Sequence, residues 1–152
     1  MNIFFDMDYT LLGVDGTLRP GSKTVMQRLL DDGHVIYVWS GVGIRWPEVR
    51  QHDLEQFVTD CFVKPLENQL VPPHRRNIGY VEQVANARLP VQPDLVIDDY
   101  PSVPTALGGI WVRPYFYYSR TDDEMERVYR IITEYAETGH SEDTRFRARA
   151  TE

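Results

Sequence analysis

Residues 3–12 read Ile-Phe-Phe-Asp-Met-Asp-Tyr-Thr-Leu-Leu. An apolar run ends in Asp6 and Asp8, one residue apart, and Thr10 follows two positions on. A continuous apolar run that stops at polar residues is the pattern of a strand buried on both faces. Such a strand delivers two carboxylates to its C-terminal tip, where unpaired charge is costly. Like charges that close coexist only beside a cation or around a shared proton. The stretch therefore reads as the first strand of the fold and as a site for a hard metal and for chemistry on an anion.

Four further apolar runs rich in β-formers lie at residues 35–39, 62–63 with their flanks, 95–97 and 110–112. Segments with helical spacing separate them. Ser22 is placed to cap a helix carrying Val25, Met26, Leu29 and Leu30, which Gly33 ends. A second helix is expected after Pro47 with Val49, Leu54 and Phe57. A third is expected over 78–87 with Val81, Val84 and Ala85 inward. The last runs over 122–138, with Met125, Val128, Ile131, Ile132 and Tyr135 on one face and Gly139 closing it. Strands alternating with helices predict an α/β fold, a three-layer sandwich with a Rossmann-like parallel sheet and helices on both faces.

In such sheets the ligand crevice lies outside the strand C-termini. Four groups should therefore face it: Asp6 and Asp8, Ser40 and Gly41, Lys64, and Asp98 with Asp99. Singly, each has a bland explanation as a helix cap, a solvated loop residue or a surface charge. At one edge of one sheet, together, they form a site. Asp15-Gly16-Thr17-Leu18 imitates the first signature, but no apolar strand precedes it and Asp-Gly is a hairpin-turn signal. Residues 12–19 are read as a short β-hairpin flap over the site.

Bulk properties narrow the setting. A chain of 152 residues suits one domain, taken here as residues 1–139, with residues 140–152 as a frayed polar tail. No apolar stretch approaches the roughly 20 residues of a membrane helix, and Asp6 and Asp8 interrupt any signal-like run, so a cytoplasmic protein with no membrane partner is expected. The net charge of −7 disfavours nucleic acid as a partner. The basic groups His74-Arg75-Arg76 and Arg145, Arg147 and Arg149 are read as solvated. Cys61 stands alone as a small core residue. His34, His52, His74 and His140 lack metal-ligand spacing. Trp46 is read as packing ahead of Pro47 or as a stacking platform, and Arg45 as a cation placed to meet a further anionic group. The aromatic run 115–118 is read as packing under the last helix.

Taken together, the four strand ends resemble the haloacid dehalogenase superfamily of phosphohydrolases, over most of the chain from Asn2 to about Val112. The motifs are Asp6-Met7-Asp8-Tyr9-Thr10, the strand ending Trp39-Ser40-Gly41, Lys64 in Phe62-Val63-Lys64-Pro65, and Val96-Ile97-Asp98-Asp99. The resemblance implies a Mg²⁺-dependent phosphomonoester hydrolase. Asp6 would be the nucleophile that forms an aspartyl-phosphate, Asp8 the acid/base, and Lys64 the bridging cation. Thr10, Ser40 and Gly41 would bind the phosphoryl group. Mg²⁺ would be held by Asp6, the Asp8 carbonyl and the Asp98-Asp99 pair, with Asp99 favoured as the direct ligand. The spacers between motifs leave no room for a cap domain, so the site is expected to be open to a phosphorylated small molecule or macromolecule, or covered by a second subunit in a homo-oligomer. Transfer to an acceptor other than water, and a phosphate-binding regulatory module without turnover, are the alternatives.

Overall fold

The computed structural model describes residues 1–67, 74 and 78–150. In chain order its elements are β1 (Asn2–Asp6), α1 (Ser22–Asp31), β2 (Val35–Ser40), α2 (Trp46–Gln51), β3 (Val58–Val63), α3 (Tyr80–Asn86), β4 (Leu95–Asp98), α4 (Ser102–Leu107), β5 (Gly109–Trp111), α5 (Glu124–Thr138) and β6 (Phe146–Arg147). The six-stranded sheet runs β3-β2-β1-β4-β5-β6. All pairings are parallel except β5 with β6. The expected α/β sandwich is thus present. No helix among the described residues is long and apolar enough to cross a membrane.

Alternation along β1 builds the two cores. Ile3 and Phe5 point to one face, with Ile36, Val38 and Ile97, where α1 and α5 lay Val25, Met26, Leu29, Val128 and Ile132. Phe4 points to the other face with Trp39 and Val96, covered by Tyr80 and Val84 of α3 and Val103 and Leu107 of α4. The Phe4 ring lies 4.9 Å from Tyr37 and 5.0 Å from Trp39. Both faces being covered explains why the strands read as unbroken apolar runs. The chain proceeds from β1 outward to β3, then crosses to β4 and β5 on the other side of β1. The order reverses between β1 and β4, which is where a crevice opens beyond the strand ends.

Several local expectations need correction. Gly21, in the left-handed region, caps α1, and the Ser22 hydroxyl instead donates to the Arg19 carbonyl at 2.8 Å. On α3 Tyr80, Gln83 and Val84 are buried and Val81 packs partly buried beside them, but Ala85 is exposed. Helix α4 went unread because of its prolines. Pro104 sits in its first turn, where a missing N–H removes no intrahelical bond. Residues 115–118 divide: Tyr115 is buried and Phe116, Tyr117 and Tyr118 are exposed. Trp46 packs against the core, with Arg50 over its ring. Cys61 is buried, and burial pushes its thiol up to about 12, so it is an inert core residue. Arg75 and Arg76 lie outside the described residues.

The frayed tail is also corrected, up to the end of β6 at Arg147. Phe146 pairs with Ile110 and packs on Tyr135, their rings 5.3 Å apart. Arg145 is not a solvated charge: its guanidinium lies 4.2 Å from the centre of the Trp111 ring and 3.2 Å from the buried Glu124 carboxylate. Arg127 grips Asp143 through three hydrogen bonds of 2.9–3.1 Å. Gly109 makes this edge feasible. A Cβ there would stand 1.9 Å from the Val96 carbonyl oxygen, so only glycine lets β5 approach β4.

If residues 140–147 are a docked part of the domain, Phe146→Ala should lower unfolding stability by about 3 kcal/mol. The urea midpoint measures this. A midpoint unchanged from wild type would mean that the segment contributes nothing.

Candidate active site

Three strands bring three charges to one point. Asp6 ends β1, Asp98 ends β4, and Lys64 follows β3, its backbone N–H extending the ladder to the Ser40 carbonyl at 2.9 Å. The Lys64 ammonium lies 2.7 Å from Asp6 Oδ1 and 2.7 Å from Asp98 Oδ2. All three side chains are buried. Burial alone would pull the Lys64 pKa down, but the charges of Asp98 and Asp6 outweigh it and hold the ammonium well above its ordinary range.

The turn after β1 adds the next group. The Met7 carbonyl accepts from the N–H groups of Leu11 and Leu12 at 2.9 and 3.0 Å, and Tyr9 takes a left-handed φ of 64°. This coil carries Thr10 back under the strand tip. Its hydroxyl accepts from the Asp99 N–H at 3.1 Å and donates to Asp6 Oδ2 at 3.1 Å. Thr10 is fully buried and does not line the cavity, and its bonds order the acids around it. Arg19, also buried, fixes the coil from behind. It donates to the Thr10 carbonyl at 3.0 Å and to the Arg113 carbonyl, and pairs with Asp122 at 3.2 Å. Nothing in the local sequence marked Arg19, because its partners come from distant segments.

The last acid pair is held by its backbone. The Asp98 carbonyl accepts from Val112 N–H at 3.0 Å, and the Asp99 carbonyl from the Trp111 indole at 2.9 Å. The Asp98 carboxylate is closed in by Lys64 and by the Tyr100 N–H at 2.9 Å, whereas Asp99 faces the cavity. Asp6, Asp98 and Asp99 each present an oxygen within 4.8 Å of the others. Burial and the Asp6 charge raise Asp98 to about 7, against the pull of Lys64. Burial and the charges of Asp6 and Asp98 raise Asp99 to about 8. Fully ionised, three carboxylates and one ammonium leave two uncompensated negative charges. The donors are all oxygens, the excess charge is two, and one ligand opens onto solvent. This donor set fits a hard divalent cation.

Asp8 stands apart from the cluster. Its carboxylate is held in a fork by Arg45, with Nη1 to Oδ2 at 2.6 Å and Nη2 to Oδ1 at 3.0 Å. The same Nη1 lies 3.2 Å from Ser40 Oγ, and Arg45 Nε lies 3.1 Å from Glu48. Asp6, Asp8, Ser40, Gly41, Lys64 and Asp99 line one cavity of about 560 Å³, completed by Tyr9, Val42, Leu66, Tyr100 and the acidic Glu67. Every residue expected at the site is thus drawn to this edge of the sheet, with Thr10 and Asp98 behind the wall.

The flap does not cover the cavity. Leu12 bridges Leu18 around the Asp15-Gly16 turn, as the hairpin signal implied. Its Val14 N–H, however, donates to the Phe116 carbonyl at 2.7 Å, and Asp15 accepts from the Tyr118 N–H at 3.0 Å. These bonds lean the flap on the connection between β5 and α5, and none of residues 12–19 lines the cavity.

The raised acids make the metal-free fold sensitive to pH. A carboxyl whose folded pKa lies above its ordinary value, near 3.9, stabilises the fold while protonated, and that contribution fades as pH rises. For Asp98 and Asp99 the window runs from about 4 up to the values of about 7 and about 8. The melting temperature of chelator-treated protein should therefore fall from pH 5 to pH 8, and added Mg²⁺ should raise it more at pH 8 than at pH 5. Asp99→Asn should flatten both responses; a variant that melts with the wild-type pH profile would remove Asp99 from the account. Comparison of the chain with family models, curated proteins and solved structures finds no match in any of the three, so its function rests on the geometry just described.

Proposed function

We propose that the protein is a Mg²⁺-dependent phosphomonoester hydrolase of the haloacid dehalogenase type, working through an aspartyl-phosphate on Asp6. The observation that carries this reading is the convergence of Asp6, Lys64 and the Asp98-Asp99 pair at the reversal point of the sheet, beside Ser40 and Gly41 on an open cavity. The same cavity that Asp6, Lys64 and Asp99 line is also lined by a strand-end hydroxyl and amide, Ser40 and Gly41. Polar groups converging on a cavity, with acids shifted from their ordinary range, favour a binding or catalytic site.

Each residue has a role in the chemistry. An Asp6 carboxylate oxygen attacks phosphorus in line as the bond to the leaving oxygen breaks. Asp8, protonated, gives its proton to that oxygen. Water then attacks the aspartyl-phosphate, its proton passes to Asp8, and the bond from phosphorus to Asp6 breaks to release inorganic phosphate. Lys64 and the Ser40 hydroxyl offset charge on the phosphoryl oxygens, and Lys64 keeps Asp6 fixed for attack. Asp6 and Asp99, with the Asp8 main-chain carbonyl, are the groups that would hold Mg²⁺, and Asp98 would orient Lys64. When bound, the cation supplies the charge neutralisation that lets an anion attack an anion.

One observation favours a second reading. The fork of Arg45 on Asp8 occupies both oxygens of the acid/base, which would suit a phosphate-binding regulatory module without turnover. Turnover separates the two. Wild-type protein with Mg²⁺ should hydrolyse phenyl phosphate, and Asp6→Asn should lower kcat by at least about 10³-fold while retaining its circular dichroism and melting profile. Undiminished turnover in a folded Asp6→Asn variant would remove the nucleophile. Absence of wild-type turnover across a broad panel of phosphate esters would favour the module.

A further inference from the structure

The fork on Asp8 is a closed arrangement that a substrate must open. Both Asp8 oxygens are engaged by the guanidinium, and Nη1 also reaches the hydroxyl of Ser40. While this holds, both Asp8 oxygens are tied to a cation, and the Ser40 hydroxyl is shared. Lys64 offers no relief, since its ammonium is fixed between Asp6 and Asp98. The arginine, by contrast, follows an exposed loop. Val42 is 81% and Ile44 58% exposed, and Gly43 between them has a φ of 141°. Glu48 keeps one edge of the guanidinium in place, through Nε, whichever anion the other edge meets.

A guanidinium leaves a carboxylate readily only for another anion of matching shape, because exchange keeps its paired hydrogen bonds and charge. Resting on the hydrolase reading above, the geometry points to Arg45 as the specificity-determining residue, which trades Asp8 for a second anionic group on the leaving portion of the substrate. The substrate class is then a phosphomonoester whose alcohol also bears a carboxylate or a further phosphate near the ester oxygen. A neutral leaving group offers no exchange partner, so Asp8 stays paired with Arg45 and turnover is slow. Arg45 stands against Asp8 and Ser40, which line the cavity of about 560 Å³, so a leaving group there lies beside the fork.

Matched substrates test this. Wild-type protein with Mg²⁺ is assayed on 3- and 4-carboxyphenyl phosphate against the corresponding carboxamides, and on a nucleoside 3′,5′-bisphosphate against its 5′-monophosphate. In at least one pair kcat/KM should favour the anion-bearing ester by about tenfold or more, one paired charge contact being worth that much. Arg45→Ala should abolish the preference, and Arg45→Lys should keep part of it. Binding to Asp6→Asn protein, read by calorimetry without turnover, should show the same order. Hydrolysis without preference in wild type would overturn the assignment and leave the hydrolase reading standing. So would an Arg45→Ala variant, folded by its melting profile, that slows both members of a pair by the same factor. Failure to hydrolyse any of these esters would overturn both.

Discussion

The arrangement on which the site depends is the Lys64 ammonium between Asp6 and Asp98. Removing ions from water costs several kcal/mol each, and only close, well-oriented partners offset it. Here the partners come from β1, β3 and β4, so the pairing exists only if the parallel sheet has its order and register. The dependence runs both ways. The sheet places the charges, and their near-complete burial tolerates little slippage of β3 or β4 along the edge. A one-residue slip would turn Lys64 or Asp98 to the opposite face and leave its partner buried alone.

Around this trio the structure invests in holding backbone as much as side chains. Thr10 joins Asp6 to the Asp99 N–H, Trp111 and Val112 hold the carbonyls of the acid pair, and Arg19 fixes the coil from behind. Asp122, which pairs with Arg19, lies just ahead of α5, and Glu124 within α5 joins Arg113 and Arg145. The C-terminal segment thus reaches the site through a chain of ion pairs and carbonyls. Groups that must neither relax nor rotate are supported from outside the strands that carry them.

How far the sequence foretold this depends on the range of each interaction. The strands were legible because burial on both faces leaves unbroken apolar runs, and the strand-end groups because one edge collects them. Helix α4 was hidden by Pro104, which looks like a breaker until its place in the first turn is known. Strand β6 was hidden because two residues in a polar stretch carry no period. What makes them a strand is their pairing with Gly109 and Ile110 and the seat of Arg145 on Trp111, both contacts made across the chain. The same holds at the site. Adjacent residues announced Asp6 and Asp8, but the bond between Asp8 and Arg45 joins segments 37 positions apart, and nothing local to either residue signals it.

That bond also separates two acids that look equivalent in sequence. Asp6 and Asp8 leave the same strand tip, yet Asp6 is buried against an ammonium and Asp8 is partly exposed in a guanidinium fork. A lysine is a compact charge, and its three donors let it serve Asp6 and Asp98 at once. An arginine is a planar fork that engages both oxygens of one carboxylate and can pass intact to another. The buried acid is therefore fixed in place, and the outer acid is paired with a group that another anion can draw off. With no cap domain between β1 and β2 or between β2 and β3, the proposed exchange of ion partners would be a means of selection that needs no moving lid.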